Sequence, residues 1–156
     1  TAPSPAEEEF IAEIAGEDQE QLTIYQKISR LPISEKIKLA LIGRKEERAL
    51  LIRDSNKLVA ISVLSSPKLT DSEVELFSQL RNVSEEILRT IGTTREWIRS
   101  YRVALNLIKN PKTPAASSLS MINRLTNMDL KLVDKDRMVP ECIRQQARRL
   151  LSRRQT

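Results

Sequence analysis

Cys142 is the only thiol in this sequence, and there is no histidine to take its proton. A neighbouring Arg144 on an expected helix would favour the thiolate. Without an imidazole partner, however, the residue reads as a buried or idle thiol. The missing histidine also removes the commonest general base near neutral pH and the commonest metal ligand. Two acid pairs, Glu46-Glu47 and Glu85-Glu86, occupy adjacent positions, which on a helix point about 100° apart and do not converge on one atom. They suit the charged first turns of helices instead. With only 3 glycines, the sequence holds neither a Gly-Lys-Ser/Thr phosphate loop nor a Gly-x-Gly-x-x-Gly turn. The expectation is a protein that is not an enzyme, with no catalytic, cofactor-binding or metal-binding residues.

The residues better suited to binding are aromatic and basic. Trp97 stands among Arg95, Arg99 and Arg102, a local combination of a stacking surface and cations. At the other end, Arg144, Arg148, Arg149, Arg153 and Arg154 follow Glu141 with no further acid. Spacings of four and five place Arg144, Arg148, Arg149 and Arg153 along one flank of a helix, opposite Ile143, Leu150 and Leu151. That flank could face an acidic protein, nucleic acid or anionic lipid, or form the soluble outer face of a terminal helix with cations at its C-terminal end. For Trp97 the plainer reading is a core plug flanked by surface arginines.

Charge is unevenly placed along the chain. Residues 1–20 carry seven acids and no base, residues 21–98 thirteen bases and ten acids, and residues 99–156 thirteen bases against four acids, within a net charge of +5. The acidic first 20 residues are expected to be either a flexible segment or a helix docked on the basic end. Residues 21–156 are expected to form the folded domain.

What must position these residues is a set of short helices. The chain has 156 residues, enough for one domain that buries roughly two-thirds of its unfolded surface. Aromatics make up 3%, so the core must be built from Leu, Ile, Val and Ala. Ser4-Pro5-Ala6-Glu7 is a capping box opening a first helix with Phe10, Ile11 and Ile14, stopped at Gly16. Leu22, Tyr25, Ile28 and Leu31 mark a second, stopped by Pro32. Further starts fall at Ser34, Thr70-Asp71-Ser72-Glu73, Ser84, Thr93-Thr94-Arg95-Glu96 and Pro140, with two more helices over 115–125 and 127–134. Leu58–Leu64 is apolar enough to be buried on most sides. No segment reads as a strand.

One stretch recurs. Val59–Lys68 (VAISVLSSPK) aligns without a gap on Val103–Lys112 (VALNLIKNPK), 44 residues later, with four identities and every other position conservative in character. A degenerate third copy places Ala147, Leu150 and Leu151 against Ala104, Leu107 and Ile108, 43 residues further on. Asn110-Pro111-Lys112-Thr113-Pro114 fits the Asn-Pro-x-x-Pro step that precedes a helix in leucine-rich repeat variants, and Ser66-Pro67-Lys68-Leu69-Thr70 keeps its first proline. Over residues 33–154 the chain resembles that family and the HEAT-like repeats. Gly92–Trp97 and Arg44–Glu47 make the copies unequal in length, a departure from a uniform repeat.

The resemblance implies an all-α fold, a short right-handed α-solenoid of helical-hairpin repeats, with an irregular compact helical bundle as the alternative. A helical pair that cannot bury its apolar stripe alone stacks on the next copy. Such families scaffold many partners, so the resemblance implies a non-catalytic scaffold or adaptor for a protein partner. The alternative is a nucleic-acid-binding repeat domain using the basic C-terminal half. Some HEAT-like proteins act on damaged DNA, but they are richer in aromatic residues than this chain. No apolar run approaches the ~20 residues that cross a bilayer, and no charged, apolar signal segment opens the sequence. The expected location is therefore cytoplasmic.

Overall fold

The computed structural model describes residues 4–5 and 19–155. The helix expected after Ser4-Pro5, and nearly all of the acidic segment 1–20, lie outside those residues. The described chain is all-helical, with eleven α-helices, one 3-10 turn and no strand. Contacts divide it into two units, ending and beginning at Lys68 and Leu69. The first contains α1 (Gln19–Ser29), α2 (Ile33–Ile42), α3 (Lys45–Leu51) and α4 (Lys57–Leu64). The second contains α5 (Asp71–Gln79), α6 (Glu85–Thr93), α7 (Arg95–Ile98), α8 (Tyr101–Lys109), α9 (Ala115–Met121), a 3-10 turn (Ile122–Arg124), α10 (Asn127–Lys135) and α11 (Glu141–Gln155). Among the described residues, no helix is long and apolar enough to cross a membrane.

Four of these helices start on a side chain that satisfies an otherwise orphaned backbone donor. Asn56 accepts the N–H groups of Leu58 and Val59. Thr70 and Glu73 form the expected reciprocal box: the Thr70 hydroxyl takes the Glu73 N–H, and the Glu73 carboxylate takes the Thr70 N–H at 2.7 Å. Ser100 and Thr126 cap α8 and α10 by accepting the N–H groups of Val103 and Asp129.

Three expectations are corrected. The box at Thr93-Thr94-Arg95-Glu96 does not form: the hydroxyls of Thr93 and Thr94 both donate to the Thr90 carbonyl. That carbonyl lies in the last turn of α6, where the helix has no partner of its own to offer. The helix expected from Ser34 begins one residue earlier, directly after Pro32, whose fixed φ leads into it. Leu58 is 64% exposed although the rest of its apolar run turns inward. It occupies the first turn of α4, off the face on which Val59, Ala60, Val63 and Leu64 are buried.

In the first unit α4 packs on α2, with Ala40, Leu51, Ile52, Val59 and Val63 as its driest residues. The corner between α2 and α3 is tight. A Cβ at Gly43 would collide with the Leu39 carbonyl and the Glu47 carboxylate. The Gly43 carbonyl accepts the buried Arg48 guanidinium at 2.7 Å. In the second unit α8 packs on α5, α9 on α8, and α11 on α10, around a core that includes Phe77, Leu88, Leu107, Ile122, Leu130 and Ile143.

The two aligned decapeptides occupy equivalent local settings. Val59–Leu64 and Val103–Lys109 lie in α4 and α8, and the polar residue after each reaches back to another helix end in its own unit. Ser66 donates to the Leu41 carbonyl at 2.9 Å, and Lys68 donates to the Ile42 carbonyl at 3.1 Å. Asn110 donates to the carbonyls of Ser78 and Leu80 at 3.1 and 2.8 Å, and Lys112 to that of Val83 at 3.2 Å. Both polar side chains also accept the N–H two residues on, an Asx-type turn that sets the Pro-Lys step. Arg154, 44 residues beyond Asn110, takes the carbonyls of Asn123 and Leu125 at 2.8 and 2.7 Å. Three times, residues at or just after the end of one helix supply donors to carbonyls at the end of an earlier element: from α4 to α2, from α8 to α5 and from α11 to the 3-10 turn. One element lies between α2 and α4 and between the 3-10 turn and α11, whereas two lie between α5 and α8.

Candidate functional site

Trp97 lies on the single turn α7 and is half-buried. It lines a slot with Asp71, Ser72, Val74 and Glu75 of α5 and with Ser100 and Val103 at the start of α8. Val74 and Val103 are buried and form its apolar floor. Asp71 and Glu75 are one turn apart on α5, so their side chains share a face. The slot encloses a cavity volume of about 130 Å³, well short of the ~300–1,000 Å³ of a drug-sized pocket.

The slot is held from two directions. Asn106 donates to the Glu75 carbonyl at 3.2 Å and to the Ser78 hydroxyl at 3.1 Å, fixing α8 against α5. Arg124 donates to the carbonyls of Ile98 and Arg99, which closes the turn that presents Trp97. Beyond it, the Tyr101 hydroxyl accepts the Thr126 N–H and donates to the Asp129 carboxylate. Tyr101 therefore ties the start of α8 to the cap of α10.

The expected cluster of Arg95, Trp97, Arg99 and Arg102 is thus present in sequence but divided in space. The three arginines are exposed, and the charged residues sharing the slot with the indole are the carboxylates Asp71 and Glu75 rather than cations. Arg102 approaches from outside, its Nε 3.5 Å from Glu75 Oε1, with 69% and 40% of the two side chains exposed. At that exposure such a pair contributes about 0–1 kcal/mol. Asp71 was legible in the sequence only as part of a helix start, and Glu75 was not singled out at all. Nothing in the spacing linked them to Trp97.

The C-terminal arginines are also unequal. On α11, Ile143, Ala147 and Leu150 face inward, as the periodicity required. Arg144 is paired with Glu141 at 2.6 Å, and its Nε is buried without a partner. Arg148 bonds Asp134 and lies 3.6 Å from Glu141. The hydrogen bond to Asp134, and then that group's charge, hold the guanidinium pKa above its ordinary value. Arg149 and Arg153 are exposed, and Arg149 has no ion-pair partner among the described residues. Arg154 is used internally, as described above.

Cys142 is free and exposed rather than buried. Glu85 pairs with Arg89 at 2.8 Å, and Glu47 accepts the Arg44 N–H, so both acid pairs lie at helix starts. Among the described residues, no three Cys, Asp or Glu side chains gather as metal ligands would. Compared with known proteins, the chain matches no family model, no curated protein and no solved structure.

Proposed function

We propose that this chain is a non-catalytic helical-repeat scaffold or adaptor that binds a protein partner, with the slot beside Trp97 as its contact point. The observation that carries the reading is the charge around the chain's one tryptophan. A base stacking on that indole would bring its phosphates toward Asp71 and Glu75, which repel them. Protein surfaces, by contrast, commonly offer cations to an aromatic flanked by acids. The repeat reading is supported by the recurrence of one capping chemistry at Ser66, Asn110 and Arg154, and by the packing of α8 on α9 in the second unit. A short α-solenoid of such copies is the architecture that fits this recurrence.

The test is affinity capture from native lysate with the wild-type chain and with Glu75→Lys, each with and without nuclease. Protein capture that survives nuclease and falls with Glu75→Lys is the expected outcome. Recovery of nucleic acid alone would refute the proposal.

A second reading, nucleic-acid binding, is favoured by one observation. Arg149 and Arg153 are exposed on α11, with Lys131, Lys135 and Arg137 exposed on the preceding helix and loop. Its distinguishing property is steep salt dependence.

A further inference from the structure

Resting on the protein-partner reading, we propose that the slot formed by α5, α7 and α8 receives one arginine side chain from the partner. Four features of the slot converge on that occupant. Its anionic walls, Asp71 and Glu75, stand one helical turn apart and present acceptors to a group that carries several donors in a fixed fork. The Trp97 indole offers a flat π-face, on which a guanidinium stacks better than a compact ammonium does. The floor of Val74 and Val103 suits the methylene stem of a long side chain. The cavity volume of about 130 Å³ fits the end of one side chain and excludes a bulky ligand.

The chain itself shows what Glu75 accepts. Arg102 brings its guanidinium Nε within 3.5 Å of that carboxylate from the solvent side. No base lines the slot itself, so the two carboxylates are not neutralised from within it. Arg102 is then an internal competitor, loosely held, that an incoming guanidinium displaces.

Trp97 is the only tryptophan in the sequence, so intrinsic fluorescence reports on this slot alone. The experiment titrates the 156-residue chain with a capped Ser-Gly-Arg-Gly-Ser peptide, and with control peptides carrying Leu or Glu in place of the arginine. A saturable emission change with the arginine peptide is expected, half-complete in the millimolar range that suits a single side chain. The loss of a charge-assisted bond in Glu75→Gln or Asp71→Asn should weaken it by about tenfold or more. Arg102→Ala should tighten it by about twofold to fivefold, because an exposed pair is worth little but competes directly. Far-UV circular dichroism and a thermal melt accompany each variant. Should Asp71→Asn disturb the start of α5, Glu75→Gln and Arg102→Ala still decide the matter.

Equal responses to the arginine and leucine peptides, or wild-type affinity in Glu75→Gln, would overturn the arginine assignment. Continued Glu75-dependent capture of protein from lysate alongside that result would leave the scaffold reading standing. A single-stranded oligonucleotide that quenches Trp97 more tightly than the arginine peptide would overturn both.

Discussion

Asn110 commits both of its amide hydrogens to the C-terminal end of α5 and its oxygen to the Lys112 N–H, while remaining 4% exposed. Removing that amide leaves two carbonyls and one N–H without these partners, one of them buried and two partly buried. Such groups cost far more when orphaned than the bonds contribute when made. Ser66 holds the matching place in the first unit but makes one donated and one accepted bond. Asn110→Ala should therefore destabilise the protein by about 2–3 kcal/mol and Ser66→Ala by about 1 kcal/mol. In a chain of this size, the first corresponds to a melting temperature lower by roughly 5–10 °C. Urea melts of the two variants measure the difference. Equal losses, or a loss in Asn110→Ala within the noise of a surface substitution, would show that these amide contacts do not hold the helix end.

At the scale of elements, a pair of threonines separates a helix start from its imitation. Thr70 and Thr94 both precede acidic helix starts, and both read as caps in sequence. Thr70 caps α5 and is capped in return by Glu73, whereas Thr94 turns its hydroxyl back onto the Thr90 carbonyl. Thr70→Ala should cost about 1–2 kcal/mol, in the range of a lost N-cap, and Thr94→Ala less than about 0.5 kcal/mol. Chemical denaturation reads both, and the reverse order would refute the assignment.

The same contrast shows what local sequence can and cannot carry. Helices over 115–125 and 127–134, the start after Pro140 and the inward face of α11 were legible, because caps and a 3.6-residue period are local properties. Thr94 was misread because the competing acceptor belongs to the preceding helix, which a four-residue signature does not see. Leu58 was misread because an unbroken apolar run does not say which face turns outward. The acids beside Trp97 were invisible as a site, because only packing of α5 on α8 brings Asp71 and Glu75 to it. Arg154 could not be told from Arg149 either, since what separates them is a set of carbonyls about 30 residues back.

For the molecule as a whole, the decisive quantity is how much of its positive charge is free to meet another polyanion. Residues 99–156 hold thirteen bases and four acids, a balance that by itself favours a nucleic-acid surface. The structure assigns many of those cations internal work. Arg144 and Arg148 sit with Glu141 and Asp134, and Arg124, Arg154 and Lys112 donate to backbone carbonyls. A cation already holding a carbonyl or carboxylate must give up that bond to contact a phosphate, so it releases few counterions. The expected result is weak association with a labelled single-stranded oligonucleotide, falling by less than about tenfold between 50 and 200 mM salt, whereas six to ten phosphate contacts would lose about 10³–10⁵ over that range. Fluorescence anisotropy measures the slope directly, and Arg149→Ala should flatten it further. A slope as steep as the thirteen bases could support would mean that the internal pairs open on binding. The basic C-terminal half, rather than the acidic slot at Trp97, would then be the functional surface.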